Sequence, residues 1–229
     1  MSKLLAVDTS GPVCTLAVHV AGRWFENTQF VDRLHNLVLL EMLDSLIRTA
    51  GIEPRSLDAV AFSAGPGSFT GIRIAAALAQ AVAYAAGARV IAVPSSQALA
   101  AQALVDLGAD RLGNSVVTVT RSRRDAYYVA TYGFRAGVPE QIAVDQLYLG
   151  TEAPPDLVST GTSAVGDRPD WWSQLDPQPE FHTDLVVRAP TIGRLALKAL
   201  DQGQGSSDAL ALPIYVRGDS PWRRIGDTP

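Results

Sequence analysis

Residues 3–31, KLLAVDTSGPVCTLAVHVAGRWFENTQFV, decide the reading of the fold. Residues 3–7 form a short apolar run that ends in the turn-rich group Asp8-Thr9-Ser10-Gly11. Residues 13–20 read as a second strand, and Ala21-Gly22 is a tight link to a third strand at 23–31. The pattern predicts a three-stranded antiparallel meander. A helix is predicted next, over 34–50. Leu39, Leu43, Leu46, Ile47 and Ala50 recur on one side, while Glu41, Asp44, Ser45 and Arg48 take the other. Gly51 stops this helix and Pro54 follows.

Farther along, 57–63 reads as a buried strand, 64–71 as a glycine-rich loop, 70–86 as a helix closed by Gly87, and 89–93 as a strand. Ser95 is a plausible N-cap for a helix running to about 107. The order so far is β-β-β-α-β-α-β-α, and the middle of the chain starts it again. Residues 115–121, 125–134 and about 138–149 read as another meander, 156–160 as a later buried strand and 191–200 as a helix. The segment 177–189 fits no single class. The tail beyond Gly203 is rich in Gly, Ser and Pro, and 218–229 is expected to be mobile. Two mixed α/β units in this order are the plan of the actin-like, ribonuclease H-like ATPase folds (the ASKHA folds). The predicted class is therefore α/β with two actin-like subdomains, residues 1–108 and 109–229, divided near the glycines and asparagine of 108–114. No residue-level repeat accompanies this duplication of order.

Composition narrows the function. The chain has 229 residues, 47% hydrophobic and 18% charged, which excludes a disordered chain. The single cysteine, Cys14, cannot form an internal disulfide, and neither a CxxC nor a Cys/His cluster is present for zinc. A net charge of -4 argues against gripping nucleic acid through bulk charge. The apolar run at 4–7 is too short for a signal-peptide core. The uncharged stretch 74–88 lies between Arg73 and Arg89 and falls short of the ~20 residues of a spanning helix. A soluble cytoplasmic protein with no membrane partner is expected.

Several motifs could carry chemistry. Asp8 and Ser10 sit at the first hairpin, where nucleotide-binding members of this fold class offer backbone N–H groups to phosphate; equally, they could satisfy a turn. The second hairpin reads Thr120-Arg121-Ser122-Arg123-Arg124-Asp125. Arg121 and Arg123 could meet phosphate or an acidic partner, but arginines do not hold Mg²⁺, and a solvated hairpin tip is the plain alternative. The loop Gly65-Pro66-Gly67-Ser68-Phe69-Thr70-Gly71 joins strand to helix as anion-binding loops do, yet matches neither standard phosphate motif. Ser68 or Thr70 can cap the helix, and Phe69 is either an exposed interface anchor or folded into the core. The following helix carries eight alanines between Ala75 and Ala86, a smooth surface that another helix can approach closely. Val38 and Met42 widen the apolar stripe of the first helix beside His35 and Thr49, which suggests contact on two sides. His19, His35 and His182 share no helix face at metal spacing. Trp171-Trp172 is expected to pack the second unit.

With these residues in view, the sequence resembles the bacterial TsaB family, also called YeaZ. The resemblance rests on Leu5-Ala6-Val7-Asp8-Thr9-Ser10, on His35, on Gly65-Pro66-Gly67-Ser68-Phe69-Thr70-Gly71-Ile72-Arg73-Ile74, and on Pro213-Ile214-Tyr215-Val216-Arg217. The hairpin at 121–128 departs from that family's usual Asp-Ala-Arg-Arg-Gly-Glu-Val-Tyr. The resemblance implies a non-catalytic subunit in forming N6-threonylcarbamoyladenosine at position 37 of tRNAs. It implies pairing with a TsaD-like catalytic paralogue, recruitment of a TsaE-like ATPase, and contact with tRNA only through the complex. TsaD-like enzymes carry a His-x-x-x-His metal site; the corresponding positions are Ser95 and Leu99, and leucine has no ligand atom, so neither a metal nor a cofactor is expected. Docking is expected through the helices at 34–50 and 70–86, with His35, Val38, Leu39, Met42, Phe69, Arg73, Ala76, Ala79, Gln80 and Ala83 facing the partner, and a homodimer through the same face when the chain is alone. The alternatives are an actin-like ATPase acting on its own and, less well supported, a peptidase.

Overall fold

The computed structural model describes residues 2–31, 34–149, 163–176, 178–206 and 210–216. The chain opens with the meander β1 (Leu4–Asp8), β2 (Val13–Val20) and β3 (Arg23–Phe30). Ala21 and Gly22 both take positive φ, 51° and 77°, the backbone twist that a two-residue hairpin link requires. Helix α1 (His35–Ala50) ends where Gly51 turns left-handed at φ 66° and returns its N–H to the carbonyls of Ile47 and Arg48. A 3-10 turn at Pro54–Ser56 occupies the approach to β4 (Ala59–Ser63), so this strand starts two residues later than the apolar run suggests. Next come α2 (Phe69–Ala86), β5 (Arg89–Val93) and α3 (Ser95–Leu107). Ser95 is the first residue of α3 rather than its cap, because its hydroxyl is engaged by the glycine loop.

A short α4 (Ala109–Leu112) leads into β6 (Ser115–Arg123), β7 (Ala126–Arg135) and β8 (Val138–Leu149), the second meander. Strands β9 (Ser163–Gly166) and β10 (Phe181–His182) and helix α5 (Ala189–Asp201) complete the described elements. The strand expected at 156–160 and the mobility expected at 218–229 fall outside the described residues.

The first sheet runs β3-β2-β1-β4-β5 and the second β10-β9-β6-β7-β8. Read from its other edge the second is β8-β7-β6-β9-β10, with antiparallel pairs on one side of the centre and parallel pairs on the other, as in the first. The duplication of element order is thus a duplication of sheet topology, and the chain is α/β with two mixed sheets.

Strand alternation sends side chains to opposite faces and so builds two cores per sheet. Leu5 and Val7 of β1 join Met42, Leu46, Ala75, Ala79 and Ala83 under α1 and α2. Leu4 and Ala6 join Ile192, Ala196 and Leu200 under α5. In the second sheet Val116 packs with Leu99, Ala103 and Leu112 under α3 and α4. Val117 and Val119 face Trp171 and Trp172, carried on the 3-10 turn Asp170–Gln174. The tryptophan pair does pack the second sheet; the Trp172 indole N–H donates to the Pro179 carbonyl at 3.1 Å.

Packing crosses the boundary near Gly108. Helix α3, which precedes it, lies on the second sheet, and α5, which follows it, lies on the first. Buried Gln102 of α3 ties the two helices together: its side-chain oxygen accepts the Thr191 hydroxyl at 2.6 Å and the Arg188 N–H at 3.2 Å. Ala189 N–H donates to the Thr15 hydroxyl of β2 at 3.1 Å.

Candidate functional site

The glycine loop is shaped by the first hairpin. Ser68 N–H donates to the Ser10 carbonyl at 2.8 Å, and the Thr9 hydroxyl donates to the Gly71 carbonyl at 2.7 Å. A Cβ on Gly71 would lie 1.9 Å from the Thr9 carbonyl oxygen, and one on Gly67 would lie 2.9 Å from that of Ser10. These glycines are therefore required by close backbone approach. Ser95 closes the loop from the other side. Its N–H donates to the Gly65 carbonyl at 2.7 Å, and its hydroxyl accepts the Gly65 N–H at 3.0 Å while bonding the Ser63 hydroxyl at 2.7 Å.

Of the two candidate caps for α2 it is Ser68 that acts, accepting the Gly71 N–H at 3.3 Å. Phe69 does not enter the core: it is 39% exposed, with the Arg73 guanidinium 3.2 Å from its ring centroid. The C-terminal motif docks here too. Ile214 N–H donates to the Ala64 carbonyl at 2.7 Å, and the Tyr215 ring centroid lies 5.2 Å from Arg73. Arg217 lies outside the described residues.

The loop and the two hairpins frame a cleft between the sheets. An inner chamber of about 430 Å³ is lined by Asp8, Ser10, Pro66, Ser95, Leu99 and Asp167, among others. An outer chamber of about 640 Å³ is lined by Ser10, His35, Ser68, Phe69, Thr70 and Arg121, again with Asp167 at the wall. Asp8 is buried, and burial raises its pKa above the ordinary carboxylate value against the opposing pull of the Ser10 N–H, which it accepts at 2.7 Å. Arg121 donates its backbone N–H to Asp167 at 2.7 Å and its guanidinium to the Tyr127 hydroxyl at 3.2 Å. Arg123 follows an irregularity in the β6–β7 pairing and sits at the exposed end of β6, outside the lining of either chamber. So Asp8, Ser10 and Arg121 come together at the cleft and Arg123 does not. Asp167 and the cleft position of His35 carry no local sequence signal; long-range pairing places them.

Ser95 and Leu99, the two positions weighed for a metal, have other occupations. Ser95 holds the loop, and Leu99 packs with Ala103, Val116 and Val165. Among the described residues no group of three or more His, Cys, Asp or Glu side chains converges.

The helix pair differs from expectation in which side faces outward. His35, Leu39, Met42, Ala76, Ala79 and Ala83 are all buried within this chain, so their surface is already covered by its own core and loops. Val38 and Arg73 are half-buried, and Gln80 and Phe69 are exposed. The outward apolar residues of α1 are Leu37 and Leu40, 68% and 67% exposed, with Leu34 just ahead of the helix. On α2 the exposed residues are Phe69, Thr70, Ala77, Gln80, Ala81, Tyr84 and Ala85. The two helices lie side by side over one face of the first sheet.

Comparison with known proteins gives a consistent picture. The family model described as TsaD, tRNA N6-adenosine threonylcarbamoyltransferase, matches residues 26–148. The chain is similar to the tRNA threonylcarbamoyladenosine biosynthesis protein TsaB of Escherichia coli, with 31% identity over 97% of this chain and 98% of that protein. It is similar to TsaB of Haemophilus influenzae, with 28% identity over 97% and 96%. Among solved structures, YeaZ from Pseudomonas aeruginosa superposes with a TM-score of 0.81 at 28% identity, covering 94% of this chain and all of that one. A protein described as similar to peptidase YEAZ from Pseudomonas aeruginosa superposes with a TM-score of 0.83 at 30% identity, covering 95% and 100%.

Proposed function

The chain belongs to the TsaB (YeaZ) family, and from that premise we propose that it is a non-catalytic subunit of a tRNA-modifying complex, docking through the outer faces of α1 and α2. Its work lies in the biosynthesis of tRNA threonylcarbamoyladenosine. In this reading the partner is a TsaD-like transferase, a TsaE-like ATPase joins the pair, and tRNA is met through the complex in the cytoplasm. Alone, the chain pairs with a second copy through the same helices.

The observation that carries the reading is the exposure of Leu34, Leu37 and Leu40 at the start of α1, with Tyr84 exposed on α2. Leucines this exposed on a helix of a packed domain mark an interaction surface, and two helices from each partner make a four-helix interface. Non-catalysis is supported by the side chains at 95 and 99, a hydroxyl engaged with backbone and a buried leucine.

The test is co-purification of the tagged chain with the TsaD-like protein of its own genome. The double variant Leu37→Glu/Leu40→Glu is expected to lose the partner while melting as the parent does. Undiminished capture would refute docking through this face. Reconstitution of the modification with each component omitted in turn tests the rest; transfer by this chain alone would refute a non-catalytic role.

A further inference from the structure

Strand β5 ends the first sheet on one side, and its outer edge is only partly used. Arg89 N–H donates to the Asp58 carbonyl at 3.1 Å, and the Val93 carbonyl accepts the Ala64 N–H at 2.8 Å, so both turn their main chains toward β4. Val90 turns the other way and exchanges both of its bonds with Ser206, at 3.0 Å each. Main-chain direction alternates along a strand, so the N–H and carbonyl of Ala92 also point out of the sheet. Neither is bonded outward among the described residues, and Ala92 is exposed. An edge in this state is a template for one more strand.

Neighbouring segments leave that place open. Gln204 N–H donates to the Ala199 carbonyl at 2.9 Å, so the segment that meets Val90 at Ser206 comes directly off the end of α5 and does not bond Ala92. Across the gap lies the start of β8, the edge strand of the second sheet. Pro139 there has no N–H to offer, and its carbonyl accepts the Gln97 side-chain amide at 3.1 Å. Between the two sheet edges is a cavity of about 410 Å³, within the size range of ligand sites.

The wall chemistry selects the ligand. Gln97, Gln141, Gln202 and Gln204 line the cavity, and an amide side chain offers both a donor and an acceptor, as a peptide unit does. Glu140, the acid on this wall, is engaged by Arg135 at 3.1 Å. Lys198 is exposed on the same wall and forms no ion pair among the described residues. We infer that this cavity takes an extended acidic peptide segment of a partner protein, which adds a strand to β5 at Ala92 and sets a carboxylate against Lys198. Strand addition supplies the main-chain bonds, while the amides and the cation choose the sequence. Helix α5 packs on the face of the first sheet opposite α1 and α2. The site is therefore separate from the proposed docking face and does not depend on it.

Amide NMR and hydrogen exchange on the purified full chain test it. The probes are a library of acetylated hexapeptides with Asp or Glu at every second position, and a matched library with Lys there. In the free chain the Ala92 amide should exchange faster than the Val90 amide. The tightest acidic peptide should shift the Ala92 signal saturably and slow its exchange by at least about tenfold. Ala92→Pro removes an outward N–H without breaking a ladder bond, a place where an edge strand tolerates proline, and should weaken binding by about tenfold. Lys198→Glu, an exposed change, should weaken the acidic peptide by about as much. N-methylation of the peptide main chain should abolish binding to the unaltered protein, whatever the variants do to folding. An Ala92 amide already protected in the free chain, an Ala92 signal unmoved by every acidic peptide, equal binding of the Lys library, or undiminished binding of the N-methylated peptide overturns the inference.

Discussion

The two sheets have the same strand order and opposite coverings. Every residue of β1 and β4 in the first sheet is buried, because helices lie on both of its faces. In the second sheet α3 and α4 cover one face, while the other rests on a compact aromatic plug in which the Trp172 ring meets Phe181 edge-on at 4.8 Å. Its edge strand β8 leaves Ile142 and Val144 largely open. One topology thus supports two surfaces. The helical layer leaves apolar side chains such as Leu37 and Leu40 exposed on its outer face, whereas the aromatic plug is turned inward.

The sharpest way to break this comparison is at the fully buried positions. Trp172→Ala should cost about 3–5 kcal/mol in urea unfolding, because the plug has few other side chains to take its place. Met42→Glu should cost at least about 3 kcal/mol for an unpaired buried charge, and so act on the fold rather than on docking. If either variant unfolded like the parent, the assignment of inner faces would be wrong. Next in size is Gly193→Ala on α5. The new Cβ would lie 2.1 Å from the Trp24 ring, so the ring must move, at about 1–3 kcal/mol.

A smaller effect belongs to Asp145 in the second sheet. Irregular pairing of β7 with β8 sets in beside it, and it accepts the Ser96 hydroxyl at 2.7 Å. Burial raises its pKa above 3.8, partly offset by that hydrogen bond. The folded chain therefore holds this proton more readily than the unfolded one. The stabilisation is complete below 3.8 and is lost as pH rises through the raised folded value. Asp145→Asn keeps an acceptor for Ser96 and should flatten this part of the pH dependence, read from urea midpoints of parent and variant between about pH 4 and 7. Smallest of all in stability is Leu37→Glu, expected within about 0.5 kcal/mol of the parent, although its effect on partner capture is large.

The first sheet is legible because β1, β2, β4 and β5 are mostly apolar runs and its elements are punctuated by Gly11, Gly22, Gly51 and Gly87. Its ends differ by a residue or two where a 3-10 turn or a cap intervenes. Strand β9 is not legible because four residues, Ser163–Gly166, give no period to read. The outward side of α1 is hidden for a different reason. Leu37, Val38, Leu39 and Leu40 are consecutive, so apolar residues surround the first turns and periodicity alone cannot choose a face. The choice is made by what β2 and α2 leave open. In the site, Asp8 and Ser10 were recognisable from the turn they occupy. The strict need for Gly71 was not, since it comes from the Thr9 carbonyl of a distant hairpin.

The exchange of α3 and α5 between the sheets has a consequence for dissection of the chain. A cut near Gly108 would give two fragments, each carrying one helix without its seat and one sheet with a bare face. They should behave as a split protein, inert and sticky apart, and regaining shape by complementation when mixed.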